Sequence, residues 1–408
     1  MPSARTTRPL PGARRRALAL ACAGTVCLAP GAGAAPASGN GTGGDSPFWT
    51  EPRPRAAKQA SAWQERGREE DAAAVRRIAE QPTAVWMPGD GDDPRERVAQ
   101  VTEEAERAGR IPLLVAYNIP HRDCGQYSSG GARDAAAYRD WLARAADGIG
   151  DRRAWVVLEP DAIAQWATCL PQEAKEERLG LLADAVRAFK HRRGTSVYID
   201  AGNAGWVSDQ ELLADALRRA GIGQADGFSL NVSNFHTTPV TRAYGDGLSD
   251  RLGGAHYIID TSRNGNGPLP PAAQGAGDEA WCNPPGRALG SPPTTATGDP
   301  RVDAFVWVKR PGESDGSCRG APPAGHWWSE YALGLSGRQP LLKAPATPPA
   351  PPARQPAPQP APQAAPQPAP QPRPPAQAAP PAPQPAPQPA PRPAPLPAPQ
   401  PPHPAPAG

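Results

Sequence analysis

The sequence has 408 residues, enough for one large domain or two medium ones, and a formal net charge of +3. That charge is uneven: five arginines and no acid precede Asp45, three arginines and no acid follow Lys343, and the stretch between holds 35 basic residues against 40 acids. An acidic middle lacks the basic footprint of a nucleic-acid partner and leaves a neutral substrate open.

In chain order, residues 1–40 read as a secretory signal peptide. Arg14, Arg15 and Arg16 precede an apolar run from Ala17 to about Pro30, then small residues with cleavage expected near Ala34 or Ala35. The run is short for a membrane span, so no stable membrane insertion is expected, and either the Sec or the twin-arginine route suits it. Cys22 and Cys27 leave with the signal. Cys124, Cys169, Cys282 and Cys318 remain, and four cysteines in an exported chain suggest two disulfides, with three pairings open. Pairing neighbours in sequence would contribute roughly 4 kcal/mol per bridge on the chain-entropy model. Free buried thiols are the alternative.

Seven apolar, β-rich runs follow: "PTAVWM", "IPLLVAYNI", "RAWVVLEP", "TSVYIDAG", "DGFSLNVSNF", "AHYIIDTS" and "DAFVWVKR". Helical patterns separate several of them. One covers Arg95 to Ala108, and the clearest is "ERLGLLADAVRAFKHRRG", with Gly194 expected as its stop. Alternating β and α units predict an α/β fold with a parallel sheet covered by helices. Seven units over 45–343 fit a distorted, closed or nearly closed TIM-like β/α barrel, with an open doubly wound sheet as the alternative. From Ala344 to Gly408, "PAPQPAPQ" variants predict a disordered polyproline II tail reaching on the order of 200 Å. Such a tail would project the folded part through a cell wall or remain from a lost module.

Polar residues stand at or just past the ends of the second to seventh runs: Arg122 and Asp123; Glu159 and Asp161; Asp200 and Asn203; Asn231 and Asn234; Asp260 and Arg263; Lys309, Glu313 and Asp315. In such barrels the active site lies at the C-terminal strand ends. The six histidines show neither H-x-H nor H-E-x-x-H spacing, so no metal is expected. Nor does a nucleophile elbow, P-loop or dinucleotide fingerprint stand at a strand end, and no cofactor is expected. Carboxylate acid–base chemistry remains, in company with eleven tryptophans. Trp86, Trp206 and Trp281 lie near strand ends or in Gly/Pro loops. Core packing is one reading of each; indoles beside carboxylates at one rim also describe a glycosidase site. Glu159 reads better as a buried, hydrogen-bonded support than as a catalyst. For Asp161 the competing role is a helix N-cap ahead of "AIAQWA".

At these residues the chain resembles glycoside hydrolase family 6, cellulases that invert configuration at β-1,4-glucosidic bonds. "YNIPHRDCGQYSSGG", "LEPDAIA", "YIDAGNAGW", "NVSNF", "DTSRNGNG", "WCNPPGRALG" and "WVKRPGESDGSC" stand in the family's order, from about Trp49 to Leu342. The resemblance implies that Asp161 is the proton donor. Asp123 would tune that donor and orient the water chain, and Asp315 is the proposed base. Trp86, Ser129, Trp206, Asn231, Trp281, Lys309 and Glu313 match sugar-binding positions, with Tyr117 and Asp200 as active-site support. It also implies disulfides Cys124–Cys169 and Cys282–Cys318. Asn203 departs from the family's usual histidine, so subsite affinity and pH response are expected to differ.

Within the family, long loops roof exo-acting sites. Here Cys124–Cys169 and Trp281–Cys318 are compact, so an open cleft and endo action are expected, with exo action as the alternative. A non-catalytic glycan-binding protein is the reading from another class. The expected enzyme is monomeric, secreted or wall-associated, and acts on soluble or amorphous β-1,4-glucan, since the sequence holds no cellulose-binding module.

Overall fold

Each of the seven runs carries one strand, the last beginning one residue ahead of its run. They are β1 (Val85–Met87), β2 (Leu113–Ala116), β3 (Ala154–Leu158), β4 (Thr195–Asp200), β5 (Gly227–Leu230), β6 (His256–Asp260) and β7 (Val302–Val306). The computed structural model describes residues 46–91, 93–270 and 280–338. The expected signal peptide (1–40) and proline-rich tail (344–408) lie outside the described residues.

All neighbouring strands pair in parallel, in the order β1 to β7. Successive side chains point to opposite faces of a strand, and both faces here are buried, which is why the runs read as continuously apolar. One set, with Phe48, Val115, Val157, Tyr198, Ile258 and Val306, forms a single inner cluster. Its neighbours Val156, Leu158, Ile199, Phe228 and Ile259 belong to a second cluster shared with the helices. Residues from β2 through β7 can share one inner cluster only if the sheet curls. The result is a curled, seven-stranded parallel half-barrel, not an open doubly wound sheet. At the seam, Ala84 N–H donates to Trp307 C=O at 3.0 Å, while β1 and β7 share no ladder among the described residues. Thr294 instead occupies the edge of β7 through a two-bond antiparallel bridge to Phe305.

Helices α3 (Pro94–Arg107), α4 (Ala135–Ile149), α6 (Gln172–Lys190), α7 (Gln210–Arg219) and α8 (Thr238–Arg251) alternate with the strands. Asp93, Asp134 and Asp209 cap α3, α4 and α7 by accepting first-turn N–H groups. Helix α6 starts five residues before the apolar periodicity, because Gln172–Glu176 holds only one apolar residue, Ala174, and so shows no repeating face. It ends at Lys190, short of Gly194. That glycine is needed for close approach: a Cβ there would lie 2.7 Å from Arg152 O. Outside the alternation, α1 (Arg55–Gln64), α2 (Glu69–Ala79) and α9 (Ser329–Leu335) share a third apolar cluster that includes Trp63, Val75 and Leu333. Short α5 (Ala162–Thr168) follows β3 directly. No described helix is long and apolar enough to cross a membrane.

Candidate active site

The chemistry begins where β3 stops. Glu159 and Asp161 flank Pro160 with φ of 49° and 73°, both in the left-handed region that non-glycine residues seldom adopt. Such strain costs on the order of 1–3 kcal/mol per residue and survives only where surroundings over-determine it. Glu159 is fully buried, and its carboxylate accepts from Asn118 N–H (2.9 Å), Ile119 N–H (3.0 Å) and the Tyr138 hydroxyl (2.9 Å). It therefore pins the segment after β2 beneath the site. Burial still outweighs those bonds and pushes its pKa up to about 7.

Asp161 occupies the N-cap position of α5, yet its side chain caps no N–H. The carboxyl is left for the cleft, where it is only partly buried. Behind it, Asp200 Oδ1 accepts from Asp161 N–H at 2.9 Å and Gly202 N–H at 3.1 Å, and Oδ2 accepts from Ser229 Oγ at 3.1 Å. Burial first, then the charges of Asp200 and Asp123, push Asp161 well above the ordinary carboxylate range, and Lys309 opposes them. Asp161 and Asp200 cannot both ionise cheaply. Asp200 accepts from three donors and the Asp161 carboxyl from none among the described residues, which favours the proton on Asp161.

Asp315 is arranged the opposite way. It accepts from Arg263 Nη1 (2.8 Å) and Asn283 N–H (3.0 Å), and Lys309 Nζ stands 3.0 Å from its other oxygen. Burial raises its pKa, but the Arg263 and Lys309 charges outweigh burial and hold the carboxyl below its usual value. Arg263 is itself fully buried, stacked 4.3 Å over Phe235. Buried Asp260 aligns the neighbouring loops, accepting from Ser233, Ser262 and Lys309 N–H groups. The two carboxyls are thus shifted in opposite directions, Asp161 toward the protonated form and Asp315 toward the ionised one.

Asp123, Asp161 and Asp315 line a single cleft of about 840 Å³ at the C-terminal strand ends, with Trp86, Tyr117, Ser129, Asn203, Trp206, Trp281, Lys309 and Glu313. Trp86 is fixed by its Nε1 donating to Val308 C=O and by edge contact with Tyr117; Trp206 stands 37% exposed on the rim. Asn203 Oδ1 accepts from Gly205 N–H at 3.0 Å. Asp200, expected as support, and Asn231, expected to bind sugar, both lie beneath the cleft wall. Asp200 holds Asp161, and fully buried Asn231 donates to His236 C=O and Asp260 C=O while accepting from His236 N–H. Both expected disulfides are formed, Cys124–Cys169 and Cys282–Cys318. Tyr127, Gln165 and His236 also line the cleft without having been singled out in the sequence. Tyr127 carried a signal, as the aromatic of "DCGQYSSGG", and its ring meets Trp281 at 6.1 Å.

These carboxyls make stability depend on pH. Glu159, Asp161 and Asp260 have folded-state pKa values raised above the unfolded ones. Each contributes stability that is complete below the unfolded pKa and lost as pH rises through the folded one. Glu159 alone corresponds to roughly 3 kcal/mol, while half-buried His236, with its pKa lowered by burial, works modestly the other way. The expected result is a melting temperature that falls between pH 5 and pH 8. A flat or rising profile would contradict the assignment of protonated buried carboxyls.

Comparison with known proteins supplies independent findings. The family model of glycosyl hydrolases family 6 matches residues 44–338. Endoglucanase A of Cellulomonas fimi is 43% identical over 65% of this chain and 56% of its own length. Endoglucanase A of Thermobispora bispora is 42% identical over 67% and 58%. The chain therefore spans little more than half of either curated relative. Among solved structures, the endoglucanase Cel6 of Mycobacterium tuberculosis, in complex with a thio-linked methyl cellobiosyl cellobioside, superposes with a TM-score of 0.66 at 42% identity. That likeness covers 72% of this chain and 97% of that one.

Proposed function

The chain belongs to glycosyl hydrolase family 6, and on that premise we propose that it is an inverting endo-β-1,4-glucanase acting on cellulose and related β-glucans. The observation that carries the reading is the contrast between two carboxyls of one indole-lined cleft: Asp315 is held by Arg263 and Lys309, whereas Asp161 stands beside Asp200 with its side chain capping no helix N–H. Asp161 protonates the glycosidic oxygen as the bond to the anomeric carbon breaks. Water attacks that carbon from the opposite face and gives up its proton toward Asp315, inverting the configuration. Asp123 orients the water and adds the charge that keeps Asp161 protonated. Trp86, Trp206 and Trp281 stack against the apolar faces of successive sugar rings. Ser129, Asn203, Lys309 and Glu313 engage hydroxyls, while Asp200, Asn231 and Tyr117 support the groups that touch sugar.

Endo action is favoured by the exposed rim aromatics Trp206 and Tyr127, and by the similarity to endoglucanases. Residues 1–40 act as an export leader, placing a monomeric catalytic domain (45–343) outside the cell with its tail (344–408). Viscosity and reducing ends followed together on carboxymethylcellulose test the activity. Viscosity collapsing ahead of reducing ends is the expected result. Reducing ends with little viscosity loss would indicate exo action, and no release from this or mixed-linkage glucan would leave a glycan-binding protein.

A further inference from the structure

Helix α5 carries more than Asp161. Asp161 at its N-cap, Gln165 within it and Cys169 at its C-cap recur every four residues, and bonds from Gln165 N–H to Asp161 C=O (2.8 Å) and from Cys169 N–H to Gln165 C=O (2.9 Å) line their backbones up along one face. That face meets the loop bearing Asp123. Gln165, buried at 4% exposure, donates from Nε2 to Asp123 Oδ1 at 3.2 Å. Cys169 is bonded to Cys124, the residue next to Asp123.

The loop needs holding. His121, Asp123 and Cys124 all have left-handed backbones, with φ of 57°, 58° and 45°. Several anchors fix its main chain: Arg122 donates to Tyr117, Pro88 and Ser128 carbonyls, and Arg178 to those of Pro120 and His121. None of these aims the carboxylate. Ser128 N–H reaches Asp123 Oδ2 at 2.7 Å from within the same loop. Gln165 reaches the other oxygen from the helix whose N-cap is Asp161.

We propose that Gln165 is a positioning residue that fixes the Asp123 carboxylate relative to Asp161. The inference rests on reading Asp161 as the acid and Asp123 as its partner. The bond from Gln165 N–H to Asp161 C=O, 2.8 Å, then ties the backbone of the acid to the residue whose amide aims its neighbour. Rotation of the Asp123 carboxylate would change both the charge felt by Asp161 and the place of the attacking water.

The test compares kcat and KM of Gln165→Leu, Gln165→Glu and Asp161→Asn with the native chain on a soluble cello-oligosaccharide, from pH 4.5 to 8.5, with melting temperatures recorded. Loss of the amide donor in Gln165→Leu is expected to lower kcat about tenfold at every pH with KM within about twofold, as misplacement near the reacting atoms does. Gln165→Glu keeps the shape, but its carboxyl donates only while protonated. Asp123 faces it with negative charge beside the protonated Asp161, and Arg122 and Lys309 line the same cleft with positive charge. Near-native kcat at the acid end, falling through an added ionisation as pH rises, is the supporting result. A native profile in Gln165→Glu, or equal losses in both variants at every pH with lowered melting temperatures, would overturn the proposal as mere packing. Native kcat in Asp161→Asn would instead sink the underlying assignment of the acid, which separates the two failures.

Discussion

Replacing Asp161 with asparagine is expected to lower kcat on cello-oligosaccharides by about 10³-fold, within the range that positioned proton transfer contributes. KM should move little, because the amide has the same shape and the sugar contacts lie elsewhere in the cleft. The diagnostic comparison uses leaving groups. A glycosidic oxygen leaving as a sugar alkoxide needs a proton, whereas a dinitrophenolate leaves without one. Asp161→Asn should therefore lose far less on a dinitrophenyl cellobioside than on cellotetraose. Equal losses on both substrates would assign Asp161 to folding or binding and not to acid catalysis. The structure favours the first outcome because the carboxyl caps no helix N–H, despite standing at the cap position.

That position shows where sequence is informative and where it stops. "RAWVVLEP" announces a strand and a carboxylate just beyond it, since alternation with helices and an abrupt end of apolar residues are local properties. Whether Asp161 caps a helix or faces a cleft depends on the left-handed turn at Glu159 and Asp161 and on Asp200, 39 residues away. The same holds for the fold. The seven strands were legible because parallel strands buried on both faces leave continuous apolar runs. The start of α6 was not, because four polar residues and a single Ala174 in its first five positions have no apolar periodicity. Gln165 and His236 were silent, since a lone glutamine or histidine carries no pattern until folding places it on a cleft wall.

Asn231 is a finer case. Resemblance to a sugar-binding position marked it as functional, and the structure puts it against His236 and Asp260, with no exposed surface. Both readings share a cause. Its left-handed backbone, φ of 67°, and saturated amide build the turn that presents Asn234, Phe235 and His236 to the cleft. Residues beneath an active site keep motif-like identity because their geometry is as constrained as that of residues touching substrate.

Arg263→Met is expected to cost about 3–5 kcal/mol of folding stability at pH 7, the range for breaking a buried ion pair from one side. Arg263 and Asp315 are 52 residues apart and both buried, so removing the guanidinium leaves a carboxylate with Lys309 as its remaining cationic partner. The pH dependence carries the sharper test. In the native chain the Asp315 pKa lies below its unfolded value. Its contribution is therefore present above the unfolded pKa and lost as pH falls through the folded one. Without Arg263, burial outweighs the charge of Lys309 and the folded pKa rises above the unfolded value, which reverses the sign: the variant's carboxyl favours folding at low pH and opposes it as pH rises. Urea unfolding of both chains should show a stability gap that is large at pH 7 and narrows by pH 4. A constant gap would mean that methionine disturbs packing alone, with Phe235 losing its stacked partner. A gap that narrows, together with kcat falling at the acid end of the activity profile, would tie the same buried guanidinium to both the fold and the ionised carboxylate that the reaction needs.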